Sequence, residues 1–141
     1  MAEAKKASFS FKKFKVPSFS FKNLDERDIE LTLNFNPTGV FSPKKGKYLL
    51  TLEFVGYEVG NPDNEILRVK SIAEFRFSNS LEAEEIPSYF YNNSVAIVFP
   101  YLRAFISTLT LQSNTGVIML GLLNFVGMGD DLKKNTTINN E

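Results

Sequence analysis

Few side chains in this chain are equipped for chemistry. Glu82, Glu84 and Glu85 place three carboxylates within four positions. Paired carboxylates can act as acid and base when their surroundings push their pKa values apart. No polar apparatus surrounds these three in the sequence, so they are read as a solvated charge run on a short helical turn limited by Pro87. Cys and His are both absent. Their absence removes Cys nucleophiles, the Ser-His-Asp triad and the imidazole proton shuttle. It also removes the thiolate and imidazole ligands of zinc and copper sites. No enzyme activity, metal or cofactor is expected.

The other chemically suggestive stretch is basic and aromatic. Up to residue 22 the chain carries six lysines and one glutamate, interleaved with Phe9, Phe11, Phe14, Phe19 and Phe21. Such a mixture can stack bases beside phosphate contacts. It equally describes a half-buried strand whose wet face carries lysine, which protects an exposed sheet edge, and that reading is adopted. The whole chain has 16 basic and 16 acidic residues, so no global charge argues for nucleic acid or an anionic membrane. No apolar run follows the N-terminal lysines, so no signal peptide is read there. A cytoplasmic location is the default, and without cysteine no disulfide framework argues for secretion.

These residues must be positioned by strands. Residues 1–7 read as a flexible leader. From Ser8 the aromatics alternate, but their parity slips between Phe11 and Phe14 and again across Pro17. That predicts a bulge near Lys12–Lys13 and a second bend, or two short strands. Ile29, Leu31, Leu33 and Phe35 alternate with polar residues as a second strand. The segment from Asn36 to Gly46, with two Pro and two Gly, reads as a loop displaying Val40 and Phe41. Lys47 to Val59 and Ile66 to Phe77 are further strands separated by a turn at Gly60–Asn64. In the last strand Leu67, Val69, Ala73, Phe75 and Phe77 point inward. Short connections make this an antiparallel sheet and not a βαβ pattern.

Ser94 to Phe125 is an apolar run with Arg103 as its one charge. Proline suits the first turn of a helix, so a helix is predicted from Phe99–Pro100 to Gln112–Asn114. Neither this helix nor Val117–Val126 reaches the roughly 20 apolar residues of a membrane span, and membrane insertion is not expected. A helix apolar on both sides must then be covered twice. One side packs on the sheet, while Tyr101, Leu102, Phe105, Ile106 and Leu109 form an oligomer interface.

Phe99-Pro100-Tyr101-Leu102-Arg103, then Ile106-Ser107 and Asn124-Phe125, resembles the helix signature of the SecB protein-export chaperone family. Residues 8–126 match that family in order of elements, and 99–125 match at motif level. The resemblance implies an α+β subunit: a four-stranded antiparallel sheet with one long helix on one face, assembled as a dimer of dimers. It implies an ATP-independent holdase that binds unfolded preproteins in apolar grooves and hands them to the export motor ATPase. Phe41, Tyr57, Tyr89, Phe90, Val117, Ile118, Leu120 and Leu122 are the candidate client contacts. The chain departs from the family in several places. Ser113-Asn114-Thr115-Gly116 replaces Gly-Phe-Pro-Pro, and Leu122 replaces a proline. Residues 127–141 form a polar, flexible tail in which the second helix is reduced or missing. Arg68 stands at the acidic position that contacts the motor. Those departures favour a second reading, a dedicated chaperone of one partner such as an antitoxin. A third is an oligomeric binding module without chaperone activity.

Overall fold

The computed structural model describes residues 8–22, 30–113 and 127–141. Its elements are β1 (Phe9–Phe21), β2 (Leu31–Ser42), β3 (Lys47–Glu58), β4 (Asn61–Phe77), α1 (Ser88–Gln112), α2 (Met128–Lys134) and β5 (Thr136–Ile138). The strands form one sheet in the order β1-β4-β3-β2-β5. β1 to β4 pair antiparallel, and β5 joins β2 in parallel. The α+β reading holds, but the sheet has five strands and not four. Three residues of β5 are too few for alternation to announce a strand.

β1 shows how pattern becomes geometry. Phe11 pairs with Phe75 and Lys13 with Glu74, so Lys12 is an extra residue; Lys15 pairs with Ile72 and Ser18 with Lys70, a second one-residue slip. Each slip restores the parity that the sequence breaks. Phe14, Phe19 and Phe21 therefore oppose Ala73, Val69 and Leu67 on the same face as Phe9 and Phe11. All five rings point to the inner side of the sheet, and the lysines between them point away.

The inner face is the core. Tyr48, Leu50, Leu52 and Phe54 of β3 meet Leu67, Val69, Ala73, Phe75 and Phe77 of β4, all buried. Ser71 is the one polar residue among them, and its hydroxyl donates to the Leu52 carbonyl at 2.8 Å. α1 lies across this face through Phe90, Tyr91, Val95, Val98, Phe99, Leu102 and Ile106. Phe90 sits among the rings of Tyr48, Phe9, Phe77 and Phe75, with centroids 4.8, 4.9, 5.0 and 5.6 Å away. Each such buried side chain stabilises the fold by roughly 1.5–3 kcal/mol.

Two predicted boundaries are corrected. α1 begins at Ser88, with Pro87 as its N-cap, and carries Pro100 inside it. The rule that places proline at a helix start holds for Pro87; Pro100 costs one backbone hydrogen bond on the helix's exposed side. At 25 residues α1 is the one helix, among the described residues, long and apolar enough to cross a membrane. The sequence reading makes it too short for a span; nine of its residues, from Phe90 to Thr110, are buried inside the subunit. The segment from Asn36 to Ser42 is strand and not loop, and only residues 43–46 turn. Gly39 donates from its amide to Asn135 across the β5 side. Pro37, two residues earlier, therefore turns its nitrogen to that same side, where β3 needs no donor.

Residues 127–141 are ordered as α2 and β5, not as a plain tail. Leu132 is fully buried, and Gly129 lets α2 approach α1 so closely that a Cβ there would strike the Asn92 amide. The Thr136 hydroxyl donates to the Leu132 carbonyl at 2.6 Å, which leaves its lone pairs to accept from the buried Tyr48 hydroxyl, also at 2.6 Å. A Cβ on Gly39 would collide with the hydroxyl end of that same Tyr48 side chain. Gly39→Ala should therefore cost about 1–3 kcal/mol by urea unfolding, as overpacking does. Burial pushes the Tyr48 phenol well above its ordinary range. The folded chain then holds a proton that the unfolded chain releases above about pH 10. Stability should be full below that pH and fall as it rises further, and Tyr48→Phe should flatten the fall in parallel urea titrations.

Candidate polypeptide-binding surface

An α-helix is roughly 10–12 Å across with its side chains, whereas strands sit about 4.8 Å apart. One helix therefore cannot cover the inner face of this sheet. On the β2 side α2 fills the remainder with Leu132. On the β1 side nothing among the described residues does, and an aromatic seam stays half open between β1 and α1. Phe11 and Phe14 contact Tyr101 with ring centroids at 5.1 and 5.5 Å, and Phe19 meets Phe105 edge-on at 5.3 Å. Phe19 is 54% exposed, Tyr101 49% and Leu111 59%. Phe11, Phe14, Val16, Phe105 and Leu109 are partly buried against the core.

The outward side of α1 continues this surface. Ala96, Pro100, Tyr101, Ala104, Thr108 and Leu111 are exposed along it, and none is charged. Arg103 lies at the margin with its guanidinium 5.8 Å from the centre of the Phe99 ring. Contacts of this kind are apolar and undirected, so they accept many side chains.

The residues named from sequence divide sharply. Phe41 and Phe90 are fully buried and cannot contact a client: Phe41 lies on β2, where a loop tip is predicted, and Phe90 is the centre of the ring cluster. Tyr89 is 50% exposed at the start of α1. Tyr57 is partly buried on the outer face of the sheet, beside Glu65 and Arg68. Val117, Ile118, Leu120 and Leu122 lie outside the described residues. Of the proposed interface helix, Leu102 and Ile106 are 0% exposed because they face their own sheet; Tyr101, Phe105 and Leu109 remain on or near the surface. Sequence reasoning missed Phe11, Phe14 and Phe19 as surface candidates. The available signal was aromatic alternation on a strand whose opposite face carries lysine, as exposed sheet edges do.

Arg68 is not a free cation. It binds Glu53 and reaches Glu65 at 2.7 Å. The hydrogen bond from Arg68 is the main reason that the Glu65 carboxyl sits below its ordinary range, against a smaller opposing effect of burial.

The sheet order with a long helix across one face is a SecB-like fold. The chain superposes on the SecB-like chaperone Rv1957 of Mycobacterium tuberculosis, solved in complex with a ChAD peptide from the Rv1956 HigA1 antitoxin. The TM-score is 0.67 over 82% of this chain and 88% of that one, at 14% identity. A Streptococcus agalactiae protein of unknown function aligns more loosely, with a TM-score of 0.49 at 12% identity over 83% of this chain and 99% of that one. In sequence, the chain is 43% identical over 49 residues to the uncharacterized protein MJ0357 of Methanocaldococcus jannaschii. That match spans 35% of this chain and about a third, 32%, of the relative's length. No family model matches the chain.

Burial separates core from surface in a way that can be measured. Phe90→Ala should cost about 3–5 kcal/mol, as truncation of buried aromatics does. Phe19→Ser should cost less than about 1.5 kcal/mol, because half the ring is already wet. Urea unfolding of the two variants beside the parent checks this, and equal losses would refute the open seam.

Proposed function

We propose that this chain is an ATP-independent chaperone that holds unfolded polypeptide along the β1–α1 seam. The observation that carries the proposal is a row of rings, Phe19 and Tyr101 half exposed and Phe11, Phe14 and Phe105 partly so, on a subunit with a SecB-like fold. Burying one exposed apolar side chain of a client gains roughly 1.5–3 kcal/mol whichever apolar residue it is. A few such contacts give useful affinity without a fixed sequence. No catalytic role is part of this reading.

We further propose that subunits assemble as a dimer of dimers. The uncharged outer side of α1, with small residues at Ala96, Ala104 and Thr108, supports close approach of a second helix. The reading extends to unfolded preproteins awaiting export as the clients, in the cytoplasm. Hand-over to the export motor has weaker support, since Arg68 is already committed to Glu53 and Glu65.

A second reading has an observation of its own. The Rv1957 chaperone is solved with an antitoxin peptide, which supports a chaperone dedicated to one partner. The two readings share a seam and differ in client range.

At stoichiometric ratios the chain should suppress aggregation of a chemically unfolded model protein without nucleotide, and Phe19→Asp with Tyr101→Asp should abolish that suppression. If the parent chain leaves light scattering unchanged, the general holdase reading falls. Suppression confined to one co-encoded protein would select the dedicated chaperone instead. Light-scattering mass measurement should give four subunits; a stable monomer would refute the assembly.

A further inference from the structure

The opposite face of the sheet carries a different chemistry. There Lys13 and Lys15 of β1, Ile72 and Glu74 of β4, and Lys47 and Leu49 of β3 line a shallow hollow of about 200 Å³. The β1 bulge at Lys12 sets this arrangement, because it brings Lys13 opposite Glu74 and Lys15 opposite Ile72. Leu49 and Ile72 form an apolar floor. The rim is almost wholly cationic.

Its one carboxylate is already shared. Glu74 takes Lys47 at 3.5 Å and Arg76 at 3.3 Å. Partial burial works to raise the Glu74 pKa, yet the Arg76 hydrogen bond and the charges of Lys47 and Arg76 prevail and hold it below the usual range. It is therefore ionised and occupied at neutral pH. Among the described residues, Lys13 and Lys15 have no ion pair, and neither has Lys70, next along β4 on the same face. A neutral chain thus keeps an uncompensated cationic band around a small apolar floor.

The choice of partner follows from what the hollow lacks. Single-stranded nucleic acid is held by bases stacking on exposed aromatics beside the cations. The β1 rings all turn to the inner face, and no aromatic residue lines the hollow. An apolar floor inside a ring of lysines instead complements a peptide with carboxylates on both sides of one aliphatic or aromatic side chain. We propose that this hollow docks an acidic, apolar-anchored segment of a second protein. That face points away from the β1–α1 seam, so docking and client holding are separable.

The test uses the full chain and a short fluorescein-labelled peptide with glutamates flanking a leucine. Its twin carries glutamine for glutamate, and oligothymidylate of matched charge serves as the third probe. Anisotropy should show binding of the acidic peptide that weakens with salt, with the twin about tenfold weaker or worse. Lys13→Glu with Lys15→Glu should weaken the acidic peptide about tenfold or more, and Lys13→Gln with Lys15→Gln by a smaller factor. Urea unfolding and aggregation suppression should stay unchanged in the glutamine pair, which keeps this result distinct from the chaperone reading. Equal affinity for the acidic peptide and its twin, indifference to both lysine pairs, or tighter binding of oligothymidylate would overturn the proposal.

Discussion

The inner face of the sheet is wider than one helix can cover, and most of the subunit answers that mismatch. Strands β4 and β3 lie at the centre, under α1, and contribute the fully buried residues Leu50, Leu52, Phe54, Leu67, Val69 and Phe75. The flanking strands receive unequal treatment. At β2 the chain returns after α1 and closes the gap with Leu132 and β5, fastened by the hydroxyl relay from Tyr48 through Thr136 to Leu132. At β1 it supplies rings and leaves them only partly covered, Phe19 most exposed of all. Closing one flank keeps the core dry; leaving the other apolar and open gives the molecule a surface to use.

How much of this was legible depends on whether the signal was local. Alternation exposed β2, β3 and β4 because each buries one face, and the broken parity of β1 announced two irregularities that the pairing contains near the expected places. Misreadings arose where tertiary context overrode local preference. Pro100 looked like a helix start, but α1 already has Pro87 at its cap, and the packing from Phe90 to Ile106 outweighs one missing hydrogen bond. Pro37 and Gly39 looked like loop residues. They are strand residues because the nitrogen of Pro37 faces the sheet edge and Gly39 makes room for the Tyr48 ring.

The candidate surface was less legible than the fold for the same reason. Composition counts apolar residues but does not say which are covered. Phe41, which reads as a loop residue, and Phe90 are fully buried, whereas Phe14 and Phe19, which read as half-buried strand residues, keep exposed surface. Only sheet order separates them. Phe90 lies over the central strands and Phe41 under the C-terminal return, whereas Phe14 and Phe19 belong to the edge strand. Residues 117–122 carry four further candidates, and these lie outside the described residues.

The two faces of the sheet differ in the physics that strand alternation provides. On the inner side, β1 presents rings whose attraction is non-directional and scales with apolar area, which favours tolerance of sequence. On the outer side, the same strand presents Lys13 and Lys15, whose attraction depends on charge and favours selection of partner. One bulge sets both at once. Moving the register by a single residue at Lys12 would carry the rings downstream of it to the outer face and bring the lysines inside, where an unpaired ammonium is costly. The irregularity at Lys12 is thus a constraint on folding and on surface chemistry together, and neither face can change its register without the other.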